Sequence, residues 1–160
     1  MRLIGAAAIF CAAFAAMRAF SSYQTRRLAQ CRGFLNFIRY AKRELACYSR
    51  PLGAWIGDFR EDALEAVGFL KAARESEDLP AALRSLGGRL CVGEEAKELL
   101  RTFVSAFGKG YREEEIARLA WCEEEMERIT AREERVLPGS LRLTRTLVGA
   151  GATAAVILLL

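Results

Sequence analysis

Histidine is missing from this 160-residue chain, and proline occurs only three times. Without histidine there is no Ser-His-Asp triad and no Cys-His pair, and most zinc sites are excluded. The five cysteines, Cys11, Cys31, Cys47, Cys91 and Cys122, are widely scattered, and none lies in a C-x-x-C pair. An odd, dispersed set fits reduced thiols on helix faces, where cysteine packs as a small hydrophobe, better than a disulfide framework. No stretch alternates apolar and polar residues as a strand does, and no internal repeat is evident. The glycine-rich run from Gly87 to Gly93 lacks the Gly-Lys-Ser/Thr ending that holds phosphate and magnesium, so it reads as a turn between helices.

What is present suits helices. Apolar residues make up 52% and charged residues 28%, a balance that excludes a disordered chain. The net charge of +4 does not mark a nucleic-acid binder, and no aromatic stacking pattern accompanies the basic residues. The charge is unevenly spread. Residues 21–50 carry seven Lys/Arg against the single acid Glu44, whereas residues 110–135 carry nine Glu against five Arg. Two runs, Glu113-Glu114-Glu115 and Glu123-Glu124-Glu125, invite a metal or paired-carboxylate reading. Consecutive helical residues splay by about 100° each, so three in a row cannot converge on one ion. A solvated face or an acidic docking surface remains. No catalytic, cofactor-binding or metal-binding residue is assigned, and the chain does not read as an enzyme.

The two ends are apolar. Leu3 to Phe20 is interrupted only by Arg18, and Leu147 to Leu160 is apolar throughout. The first is long enough to span a bilayer if Arg18 snorkels; the second is short and borrows from Leu141 onward. Residues 1–20 and 141–160 are therefore expected as transmembrane helices, and residues 21–140 as a helical domain between them. Arg26, Arg27 and Arg32 flank one span on its inner side, and Arg142 and Arg145 flank the other. The positive-inside rule then puts the central domain in the cytoplasm. The competing reading is a cleaved signal peptide with an extracytoplasmic helical domain held by a C-terminal anchor.

Helical periodicity fills the middle. Leu28, Cys31, Leu35, Ile38, Lys42 and Leu45 form a heptad seam with one lysine fault, in a helix that continues from the first span and stops near Tyr48. Leu119, Cys122, Met126, Ile129, Glu133 and Val136 repeat the spacing near the other end, and Pro138-Gly139 is expected to kink or break that helix. Both helices enter and leave the same membrane face, so they should run antiparallel, basic against acidic. Shorter helices are expected from Pro51 to about Asp58 and from about Arg60 to Arg74. A third runs from Leu79 to Leu86 behind Asp78 as N-cap, and a fourth from Gly93 to Phe107 with Gly108 as its C-terminal cap. The fold class is all-α: a compact bundle of about six helices between two membrane spans.

Several segments then resemble the stage III sporulation protein AB family over essentially the whole chain. Leu3-Ile4-Gly5-Ala6 resembles the family's opening span. Glu44-Leu45-Ala46-Cys47-Tyr48-Ser49-Arg50-Pro51-Leu52 resembles its acidic-aliphatic-x-Tyr segment followed by Pro-Leu. Phe103 with Phe107-Gly108, ahead of an acid-rich helix start, resembles its Phe-x-x-x-Leu-Gly turn. Glu115 departs from the glutamine usual in the family, and Pro138-Gly139 interrupts a helix expected to be more continuous. The resemblance implies a soluble domain similar to the cytoplasmic domain of the type II secretion platform protein. It also implies a platform role in the sporulation channel complex joining mother cell and forespore. There the chain would sit in the mother-cell membrane around the forespore, with other membrane subunits. Its cytosolic face would dock the secretion-type ATPase, stage III sporulation protein AA. Glu44, Tyr48, Pro51 and Leu52 would shape one corner, and Phe103, Phe107 and Gly108 a second. The acidic residues Glu113, Glu114, Glu123 and Glu124 are the expected ATPase contact.

Overall fold

The computed structural model describes the backbone of residues 2–47, 55–76, 78–108 and 110–159. Side chains are described for the same residues except 2–4, 6, 7, 9, 10, 138, 140–145, 147, 152 and 154–159. Among the described residues the chain is all-helical, with no strand. In order come α1 (Arg2–Cys47), α2 (Asp62–Val67), α3 (Phe69–Ser76), α4 (Leu79–Ser85), a 3-10 turn (Gly87–Arg89), α5 (Glu94–Ala106) and α6 (Arg112–Leu159). The chain divides into two units, one comprising Arg26–Arg132 and the other Met1–Thr25 with Glu133–Leu160.

In the unit Arg26–Arg132, α1 is the central element. Between residues 28 and 45 only Arg32, Asn36, Arg39 and Arg43 are exposed, one narrow stripe at spacings of four, three and four. The predicted seam residues Leu28, Cys31, Leu35 and Ile38 are buried. A second stripe, Phe34, Phe37 and Ala41, is buried as well. Its rings meet the middle helices: Phe34 and Phe37 lie 5.2 and 5.3 Å from Phe69, and Phe37 lies 6.0 Å from Phe103. Edge-on geometry at these distances favours aromatic pairs beyond their area alone.

α1 and α6 run antiparallel within this unit. Arg39 bonds Glu123 at 3.0 Å and Glu127 at 3.3 Å, and Lys42 also pairs with Glu123. Further along α1, Arg112 of α6 donates to the carbonyls of Leu45 (3.1 Å) and Ala46 (2.5 Å). Residue numbers thus rise on one helix as they fall on the other, and the basic stretch meets the acidic one. On α6, Leu119, Cys122, Met126 and Ile129 are buried, whereas Val136 is 57% exposed. The expected seam therefore ends at Ile129. Burial pushes the Cys122 thiol up to about 11, so it stays neutral in the core.

Two predicted boundaries are corrected. The helix expected from Arg60 to Arg74 is two helices, split at Gly68, whose φ of 89° is left-handed. The apolar pattern Leu64, Val67, Leu70 runs through the break, so periodicity alone hides it; glycine adopts this φ without the steric cost of a Cβ. Of the kink or break expected at Pro138-Gly139, the break does not occur: α6 continues to Leu159. One proline removes a single ladder bond, which the turns on either side can bridge. The cap at Asp78 is placed as expected, but its side chain makes no capping bond; Ser76 Oγ accepts from the Asp78 N–H at 3.3 Å.

Among the described residues no helix is long and apolar enough to cross a membrane. Of the two expected spans, 141–160 falls largely, and 1–20 in part, on residues whose side chains lie outside the described set.

Candidate functional site

One end of the unit Arg26–Arg132 brings together Phe103, Phe107 and Gly108 of the residues singled out from the sequence. Trp55 is the hub. Its ring lies 5.8 Å from both Phe37 and Tyr40 and 5.9 Å from Phe107, which in turn is 5.6 Å from Phe103. The backbone turns beside it, where the N–H groups of Asp58 and Phe59 both donate to the Trp55 carbonyl. Arg74 holds this turn, donating to the Phe59 carbonyl at 2.8 Å and to Glu65 at 3.1 Å. α1 therefore meets the α5–α6 turn through a ring that the sequence reading left unassigned. Glu44 is buried close by in sequence, and its Oε2 has no hydrogen-bond partner among the described residues. Tyr48, Pro51 and Leu52 lie outside the described residues.

The second corner is latched by a residue that had looked like an anomaly. α5 ends at Ala106, and Gly108 follows in the left-handed region with φ of 78°, where glycine is the favoured residue after a helix. Its N–H, freed from the helical ladder, donates to Oε1 of Glu115. Glu115 is 6% exposed. A glutamine carbonyl could accept the same bond, so glutamine would fit this role too. Arg118 adds a bond to the Ala106 carbonyl at 3.2 Å. Glu115 is thus an internal strut, distinct in role from its two neighbours.

The four acids expected to meet a partner separate in the same way. Glu113, Glu114 and Glu124 are exposed. Glu123 is turned inward against Arg39 and Lys42. Burial raises its carboxyl, but the hydrogen bonds from Lys42 and Arg39 outweigh this and hold it below the usual carboxylate range. At about 100° per residue, Glu113, Ala117, Ala120, Trp121 and Glu124 share the outward arc of α6. All five are exposed. Trp121 shows 50% of its surface, and Tyr111 at the head of the helix shows 83%. Tryptophan and tyrosine are among the residue types enriched at protein-binding hot spots. The sequence signal for Trp121 was available: it stands one residue before Cys122, about 100° round the helix and off the seam.

A family model described as stage III sporulation protein AB matches residues 2–160 of this chain. No curated protein and no solved structure matches it.

Proposed function

This chain belongs to the stage III sporulation protein AB family, and from that membership we propose that it is a non-enzymatic membrane platform of the sporulation channel. Family membership implies a role in sporulation. In the proposed reading both ends lie in lipid, in the mother-cell membrane around the forespore. The unit Arg26–Arg132 faces the cytosol and docks a secretion-type ATPase, stage III sporulation protein AA, beside other membrane subunits.

The observation that carries the docking reading is the outward arc of α6. Trp121 supplies apolar area at low entropic cost, while Glu113, Glu114 and Glu124 supply a charge rim that steers and orients a basic partner. Glu123, spent on Arg39 and Lys42, leaves the expected contact set. The membrane reading is supported by the apolar runs and their basic flanks. It also draws on Phe14, Phe20 and Val136, 59%, 37% and 57% exposed in the unit that holds both chain ends.

The test is co-purification of the full chain with the ATPase from membranes. Trp121→Ala should weaken capture about 30-fold or more, as hot-spot truncations do. Glu113→Lys with Glu124→Lys should weaken it further as salt falls, because the new cations repel a basic partner. Undiminished capture by both variants would remove this surface from the interface. For topology, a chain keeping only the exposed Cys47 should resist a membrane-impermeant maleimide in intact cells and react after lysis.

A further inference from the structure

The opposite end of the same unit holds a cleft of about 510 Å³. Arg26 and Arg89 line it, with Ala29, Ala63, Ala66 and Val67 as an apolar floor. We propose that this cleft binds the headgroup of an anionic phospholipid.

Three features point there. First, the charge is uncompensated: no carboxylate among the described residues lines the cleft. A smaller cleft of about 280 Å³, lined by Arg84, Lys97 and Arg101, is different, because Lys97 is bonded to Glu94 at 2.6 Å and Arg101 to Glu98 at 2.5 Å. Second, the wall is built. The buried Gln30 accepts from the Cys91 N–H at 2.8 Å and donates to the Arg89 carbonyl at 3.4 Å, fixing the strand of chain that carries Arg89. The Arg89 guanidinium is itself anchored on the Ser85 carbonyl at 3.1 Å, which leaves further N–H donors for a phosphate fork. Third, the floor is made of small apolar side chains. A free phosphate has no use for it, whereas the glycerol and first methylenes of a lipid would cover it.

The proposal rests on the membrane reading above for its source of lipid. Arg26 follows Phe20 by six residues. Six residues of chain reach at most about 21 Å in any conformation, so the cleft cannot stray far from a bilayer that holds the first apolar run. Arginines at that depth face the negative potential of the inner leaflet.

The experiment is calorimetric titration of the full chain in a neutral detergent. The titrants are dihexanoyl phosphatidylglycerol, dihexanoyl phosphatidylcholine, inorganic phosphate and hexaglutamate. Phosphatidylglycerol should bind tightest. Arg26→Gln, an exposed position, should weaken it about fivefold, and adding Arg89→Gln should bring the loss to about 25-fold. Arg26→Gln should do so with helicity and Tm unchanged, which guards against simple misfolding in the double variant. Equal affinity for the two lipids, or an unaffected Arg26→Gln, would overturn the site. Phosphate or hexaglutamate binding as tightly as phosphatidylglycerol would overturn the lipid occupant. Carbonate extraction of the native membranes separates the underlying reading. If the chain is stripped off yet still prefers phosphatidylglycerol, the anchoring fails and the headgroup site stands.

Discussion

The two ends of the unit Arg26–Arg132 solve opposite problems with the same helices. At one end Trp55, Phe37, Tyr40, Phe103 and Phe107 close on one another, and Arg74, Arg112, Glu115 and Arg118 are bonded within the fold. At the other, alanines replace rings, a cleft stays open, and two arginines face it without an acid. α1 passes through both. Ring volume seals an end mechanically, whereas small side chains leave a cleft with room for a ligand. The difference teaches where to look for structure and where to look for binding.

The largest effect should come from breaking the closed end. Phe37 is fully buried among four aromatic partners, so Phe37→Ala should cost about 3–5 kcal/mol by removing both transfer energy and packing. Denaturant unfolding would read this as a lowered midpoint. Val67→Ala, at the cleft floor, should cost less than half as much; equal losses would erase the contrast. Next comes the Glu115 strut. Glu115→Ala leaves the Gly108 N–H without its acceptor, and should cost about 1–3 kcal/mol, while Glu115→Gln should recover most of it. If glutamine proved as damaging as alanine, the hydrogen bond would not be the reason for the residue.

The smallest effect concerns the ion pairs between the two ends. Glu123 has its carboxyl lowered in the folded state. The stability it contributes is therefore fully present above the ordinary carboxylate range and is lost as pH falls through its folded value. An ion pair at this depth contributes about 1 kcal/mol or less. Glu123→Gln should therefore lower Tm at neutral pH by at most about 4 °C and converge with the wild-type curve in acid, where the pair is already lost. A variant curve that matched the wild type at every pH would show that Arg39 and Lys42 do not stabilise the pairing of α1 with α6.

Much of this was legible beforehand because it is periodic. The seam Leu28–Ile38, the matching seam Leu119–Ile129, the helix over residues 94–106 and the glycine after it are all local patterns, and local patterns survive into the fold. The antiparallel, basic-to-acidic pairing was legible for another reason: charge asymmetry along the chain has few ways to resolve itself in a small bundle. What escaped is tertiary. Val67 and Leu70 keep the apolar rhythm across Gly68, so periodicity does not mark the turn there. Glu113, Glu114 and Glu115 are identical in composition, and only the helix phase sends the last inward. Trp55 meets Phe107 although the two lie more than 50 residues apart along the chain, a distance no window can see.

The chain's two tryptophans are placed as a matched pair of reporters: Trp55 is 3% exposed and Trp121 50%. Unfolding would wet the first and shift its emission to the red. A bound protein would dry the second and shift it to the blue. Fluorescence from the native molecule, with no dye attached, can therefore tell capture from collapse by the direction in which the colour moves.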